Sequence, residues 1–128
     1  MNVMSKVGIV LVSHSSKVVA GIKDIISQMV PNVSVALAGG TEEDSIGTSI
    51  DKIQQAVEEV YNEQGVLIFY DIGSAKMNAE IAVEMSEYEN LKVVEAPILE
   101  GAFVAAVEAG MGKSLEEVVK AAENASQI

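Results

Sequence analysis

The sequence contains no cysteine, no arginine and no tryptophan, and it has a single histidine, His14. Without thiols there is no cysteine nucleophile, no iron–sulfur cluster and no disulfide scaffold, a composition that suits the reducing cytoplasm. A metal site is not expected, because zinc would have to be assembled from carboxylates and His14 alone. The absence of arginine removes the bidentate phosphate clamp and the arginine finger, so any phosphate chemistry must use backbone amides, hydroxyls or lysine. Basic charge is scarce altogether: 8 lysines stand against 19 aspartates and glutamates, for a net charge of -11. Such a surface repels a phosphate backbone, which excludes nucleic-acid binding. Long apolar runs are missing too. The stretch at 7–12 ends in polar Ser13 and His14 and is too short to span a membrane, so neither a signal peptide nor a membrane segment is expected.

What is present fits one unit. A chain of 128 residues and 13.5 kDa corresponds to a single domain over 1–128. It can bury about two thirds of its unfolded surface and fold without a disulfide or structural metal. No internal repeat or low-complexity linker divides it. Runs rich in Val, Ile, Leu and aromatics at 6–13, 33–38, 65–70 and 91–96 read as strands, the first and third apolar nearly throughout, as in a parallel sheet covered on both faces. Between them the apolar period changes to that of a helix. Val18, Ile22, Ile25 and Met29 define the inner face of a first helix, and Ile46, Ile50, Ile53, Val57 and Val60 that of a second. A third spans 75–87 with Ala82 and Met85 inward. Two more cover 100–110 and 114–125, the last with Ser114 as N-cap before Glu116 and Glu117. The six methionines read as core filling. The fold class that follows is α/β, a three-layer sandwich with a central, mainly parallel four-stranded sheet in the order 2-1-3-4 and helices on both faces.

In such sheets ligands bind beyond the carboxyl ends of the strands. His14 lies there, directly after the first strand and before a helix start, where an anion meets free backbone N–H groups. Asp71 holds the equivalent place after the third strand, which commonly lies beside the first. An aspartate accepting from one ring nitrogen fixes the tautomer, leaves the other nitrogen as nucleophile or base, and stabilises positive charge on the ring. The plain alternative is that Asp71 only caps the third helix. Gly39-Gly40-Thr41, Gly47-Thr48 and Gly73-Ser74 could supply unobstructed amides for an anion, or could simply be turn residues. Lys76 could pair with an anion or be a solvated helix residue, and Glu42-Glu43-Asp44 reads as an exposed loop. No complete nucleotide-binding glycine fingerprint occurs, so a nucleotide held by this chain alone is disfavoured. The surviving enzyme reading is a histidine that carries a phosphoryl group. A hydrolytic triad lacks the strained turn that presents a serine nucleophile. A non-catalytic anion-binding regulatory module is the alternative from another class, separated by covalent labelling at His14.

The same residues carry a family resemblance. Val10-Leu11-Val12-Ser13-His14-Ser15, Ala38-Gly39-Gly40-Thr41 with Ile46-Gly47-Thr48-Ser49, Asp71-Ile72-Gly73-Ser74-Ala75 with Met77-Asn78-Ala79-Glu80, and Ala96-Pro97-Ile98-Leu99-Glu100-Gly101-Ala102 occur in order across the chain. In these it resembles the mannose-class enzyme IIA family, and within it the phosphotransferase subunits of phosphoenolpyruvate-dependent dihydroxyacetone kinases. The Gly-Ser-Ala loop after Asp71 favours these over the sugar-transporter members, which remain the alternative. The resemblance implies that His14 accepts phosphate from the phosphohistidine of the carrier HPr and passes it to ADP held by a nucleotide-binding subunit, while a third subunit carries dihydroxyacetone. It implies a cytoplasmic homodimer with no cofactor of its own beyond the covalent phosphate on His14. Some relatives append HPr-like and enzyme I-like domains, for which this chain is too short, so dependence on the general HPr is expected. On this reading neutral His14 attacks through Nε2 while Asp71 holds the proton on Nδ1. Phosphate contacts are expected among Ser15, Gly39, Gly40, Thr41, Gly47, Thr48, Gly73 and Ser74.

Overall fold

The computed structural model of the chain describes residues 5–125. Its elements run β1 (Gly8–Ser13), α1 (Ser16–Met29), β2 (Val35–Gly39), α2 (Ile50–Val60), β3 (Val66–Tyr70), α3 (Gly73–Met85), β4 (Leu91–Val93), α4 (Ile98–Gly110) and α5 (Leu115–Asn124). The strands form one sheet in the order β2-β1-β3-β4, every pairing parallel. This is the α/β order expected from the sequence.

Strand alternation divides the apolar residues between two cores. Ile9 and Leu11 of β1 and Leu67 and Phe69 of β3 face α1, α4 and α5. Val10 and Val12 with Val66 and Ile68 face α2 and α3. Because β1 and β3 are covered on both sides, they have no polar face, which is why they read as nearly unbroken apolar runs. α3 meets the sheet through Ala75, Ala79 and Ala82, small residues that let the helix axis lie close. α5 starts on a capping box in which Ser114 and Glu117 satisfy each other's backbone amides.

Several expectations are corrected by the packing. α1 buries Val19, Ile22 and Ile26, while Val18, Ile25 and Met29 are exposed. Both stripes have helical spacing and share Ile22. Which one meets the sheet is set by the two-residue link from β1, which fixes the helix rotation and leaves no mark in the periodicity. α2 begins at Ile50 rather than near Ile46, because the Ser49 hydroxyl caps it by accepting from the Lys52 amide at 3.2 Å; Ile46 lies exposed in the preceding loop. α3 ends at Met85, which points outward, and β4 stops at Val93, although the Val94 amide still donates to Ile68. The methionines are not core filling: Met29, Met77, Met85 and Met111 are each at least 60% exposed. Met1 and Met4 lie outside the described residues.

The α1 rotation is tested by paired truncations. Ile26→Ala is expected to cost about 2–5 kcal/mol in urea unfolding, and Ile25→Ala no more than about 0.5 kcal/mol. The reverse ranking would mean that the other stripe is buried.

Candidate active site

The parallel register builds the site. Leu11 pairs with Phe69, so two residues further on Ser13 and Asp71 emerge side by side on the same face of the sheet. The Ser13 hydroxyl donates to Asp71 Oδ2 at 2.9 Å, and the His14 backbone amide donates to the same oxygen at 3.0 Å. Asp71 Oδ1 accepts from the Ile72 amide at 2.7 Å and meets His14 Nδ1 at 3.1 Å. Both side chains are half-buried, each 21% exposed.

These contacts fill the acceptor capacity of a carboxylate. Burial of Asp71 works to raise its pKa, but donation from the His14 and Ile72 amides, the Ser13 hydroxyl and the His14 ring outweighs it and holds the group below the ordinary carboxylate range. An ionised carboxylate only accepts, so the proton of neutral His14 resides on Nδ1. Nε2 is left with its lone pair outward, 2.7 Å from the Ser74 hydroxyl, which therefore donates to it.

The loop after β2 closes the other side. Gly39 lies against the start of α1, where a Cβ would come within 2.5 Å of Val19 Cγ2 and 2.7 Å of Ser16 Cα; Gly40 has a φ of +75°. The Gly40 amide donates to the Ser13 carbonyl at 3.0 Å, and the Gly47 amide to the His14 carbonyl at 2.9 Å. The Thr41 amide donates to Ser45, the Thr41 hydroxyl accepts from the Ser45 amide, and the Ser15 amide donates to Ser13 Oγ. The amides of Ser15, Gly40, Thr41 and Gly47 are thus engaged in holding the loop and the histidine. Thr48 Oγ1 accepts from Asn78 Nδ2 at 2.5 Å, joining this loop to α3, and Lys52 Nζ donates to the Gly39 carbonyl at 2.9 Å. Gly73 and Ser74 occupy the first turn of α3, whose leading amides have no partner within the helix; its N-cap Ile72 offers no side-chain cap.

The structure therefore brings together His14, Asp71 and Ser74, with the loop from Gly39 to Thr48 beside them. Lys76 is instead paired with Glu95 across the α3 surface, and Glu42, Glu43 and Asp44 are exposed. Sequence reasoning quoted Ser13 and Asn78 within motifs but gave no site role to them or to Lys52. For Ser13 a signal existed, a hydroxyl that directly continues an apolar interior strand. Among the described residues no group of three or more His, Cys, Asp or Glu could hold a metal ion, and no helix is long and apolar enough to cross a membrane.

Residues 8–119 match the family described as the PTS system fructose IIA component. The phosphoryl donor subunit DhaM of PEP-dependent dihydroxyacetone kinase 1 from Listeria innocua is 45% identical over 111 residues, covering 87% of this chain and 88% of the relative. The phosphotransferase subunit DhaM of the PTS-dependent dihydroxyacetone kinase from Lactococcus lactis is 39% identical over 112 residues, covering 87% and 89%. A crystal structure of a protein of unknown function shares the fold with a TM-score of 0.85 and 36% identity, over 93% of this chain and 94% of that one. The dihydroxyacetone kinase of C. freundii, at 16% identity and a TM-score of 0.67 over 92% of this chain and 24% of that one, is alike in fold alone.

The hydrogen-bonded carboxylate has a consequence for stability. Its folded pKa lies below the unfolded value, so its contribution is complete above about pH 4 and is lost as pH falls through the depressed folded value. Asp71→Asn is expected to destabilise by about 1–2 kcal/mol at pH 7 in urea unfolding. The gap should narrow as acid titrates Asp71. A gap that stays constant into strong acid would contradict this carboxylate geometry.

Proposed function

The chain belongs to the mannose-class enzyme IIA family, described as the PTS system fructose IIA component, and from that premise we propose that it is the phosphoryl donor subunit of a dihydroxyacetone kinase. In this reading His14 takes a phosphoryl group from the phosphohistidine of HPr and hands it to ADP bound in the kinase's nucleotide-binding subunit. The observation that carries it is the orientation of one ring, with Nδ1 against Asp71 and Nε2 presented at the open ends of the strands. The names of the relatives from Listeria innocua and Lactococcus lactis supply the kinase.

The step balances within the two proteins. The Nε2 lone pair forms a bond to phosphorus as the bond from phosphorus to the donor's ring nitrogen breaks, and the donor ring keeps that electron pair. The His14 ring gains positive charge, which the Asp71 carboxylate stabilises through the proton on Nδ1. For Nε2 to attack, the Ser74 hydroxyl must leave it. Rotation about χ1 then turns that donor toward a phosphoryl oxygen, beside the leading amides of α3 at Gly73 and Ser74. Thr48 Oγ1 accepts from Asn78, so its own proton is free for a further oxygen. Onward transfer reverses the sequence, with an oxygen of the ADP β-phosphate as nucleophile. This chain holds no nucleotide, only the covalent phosphate on His14.

The net charge of -11, with Glu42, Glu43 and Asp44 exposed beside the site, suits docking to a carrier with basic groups around its histidine. The proposal includes a cytoplasmic location and a homodimer. Val18, Ile25 and Met29 form an exposed apolar stripe along α1 that suits the latter.

Incubation with phosphoenolpyruvate, enzyme I and HPr should yield an acid-labile, alkali-stable phosphate by mass spectrometry, absent in His14→Ala. No label, or label surviving that substitution, would sink the reading in favour of a non-catalytic anion-binding module. The phosphorylated protein should then form ATP on the ADP-loaded kinase subunit, whereas transfer only to a sugar-permease component would assign it to transport. Asp71→Ala should slow phosphorylation by about 100-fold or more with the fold retained, and an unchanged rate would remove Asp71 from the mechanism.

A further inference from the structure

Among the described residues Ser13 is the one polar side chain that is fully buried, at 0% exposure. It ends β1, every residue of which is buried, and it sits opposite Gly39 in the neighbouring strand. A hydroxyl at such a place costs free energy unless both its donor and its acceptor capacity are used. Here they are, and in a single sense. The Ser15 amide donates to Ser13 Oγ at 3.0 Å, so the one hydroxyl proton goes to Asp71 Oδ2 at 2.9 Å.

We infer that Ser13 is a positioning residue for phosphoryl transfer: by gripping Asp71 Oδ2 from within the sheet, it fixes the carboxylate plane that keeps the His14 proton on Nδ1 and the lone pair on Nε2. The inference rests on the reading of His14 as the phosphoryl-carrying residue. Its physical basis is the division of labour between the two oxygens of Asp71. Oδ1 serves the ring and the Ile72 amide. Oδ2 is held by the Ser13 hydroxyl and the His14 amide. The His14 and Ile72 amides come from the two chain segments that the carboxylate joins. Besides the His14 ring, which meets Oδ1, Ser13 is the one side chain that binds the carboxylate, and it approaches Oδ2 from its fully buried place in the sheet. With this donor gone, Oδ2 keeps a single partner and the carboxylate can twist about χ2. The Nδ1 proton then loses an aligned acceptor. A free imidazole side chain places its proton preferentially on Nε2, so loosening the carboxylate moves the proton onto the nitrogen that must act as nucleophile. The Ser13 hydroxyl donates to Asp71 and not to the ring, so it acts on the ring nitrogens through Asp71, while the bond it accepts from the Ser15 amide belongs to the turn into α1.

The test uses the full chain with nitrogen-15-labelled histidine. In the natural protein the imidazole nitrogen shifts should report the Nδ1–H tautomer of neutral His14. In Ser13→Ala they should move toward the Nε2–H tautomer. The same substitution should lower kcat for phosphorylation by phospho-HPr about 10- to 100-fold, as expected for a partner of a functional group, with KM for phospho-HPr changed less than about twofold. Ser13→Thr, which keeps the hydroxyl, should restore both the tautomer and most of the rate. If Ser13→Ala does not fold, Ser13→Cys replaces it, since a thiol of similar volume is only a weak donor. A tautomer unchanged in the variant lacking the hydroxyl would overturn the inference. So would a folded Ser13→Thr protein that is no faster than that variant. A natural protein that takes no phosphoryl group would defeat the carrier reading instead, while the tautomer comparison would still decide the effect of Ser13.

Discussion

The carboxylate of Asp71 is the point on which the geometry at the strand ends depends. It joins the exits of β1 and β3, accepting from the backbone of both and from Ser13 and the His14 ring. Two parallel strands that leave a sheet side by side have backbone groups at the same level that need hydrogen-bond partners. Here one side chain accepts from both segments and at the same time fixes the tautomer of the only histidine. The structural and chemical roles cannot be separated, because the bonds that anchor the carboxylate are the ones that keep it ionised.

Everything else at the site adjusts the surroundings of that pair. The loop after β2 lies across the histidine because Gly39 permits contact with α1 and because Gly40 and Gly47 tie it to the carbonyls of Ser13 and His14. The Asn78–Thr48 contact connects the loop to α3, the helix that carries Ser74. Beneath them the two apolar cores hold β1 and β3 from both faces, so the strand ends have a rigid base. Precision at the ring nitrogens therefore comes from sheet register, and the loops only complete the enclosure.

Much of this could be read from the amino-acid pattern, for identifiable reasons. Buried parallel strands are unbroken apolar runs, so the strand positions and the places of His14 and Asp71 at their ends were legible. The face that α1 presents was not, because Val18-Ile25-Met29 and Val19-Ile26 have the same periodicity and only the link from β1 distinguishes them. Exposure of Met77 and Met85 was equally hidden, since α3 packs through alanines that carry little hydrophobic signal. The glycines of the β2–α2 loop marked a tight path, but which carbonyl each amide meets depends on where the chain returns. The role of Ser13 went unassigned because a serine that ends an apolar run looks like the strand's exit into solvent, and here it is still inside.

The engagement of the loop amides bears on energetics as well as on shape. A phosphoryl carrier works between two partners, so the free energy of its loaded state must lie between theirs. Each additional charge-assisted hydrogen bond from the loop would lower that state by about 1.5–3 kcal/mol, and whatever part of that gain is lost in the transition state would be added to the barrier for release. Amides at Ser15, Gly40, Thr41 and Gly47 that are already committed to backbone and side-chain oxygens cannot deepen that well. On the proposed reading of His14 as phosphoryl carrier, a loop assembled in this way leaves the group-transfer potential of the loaded ring intact.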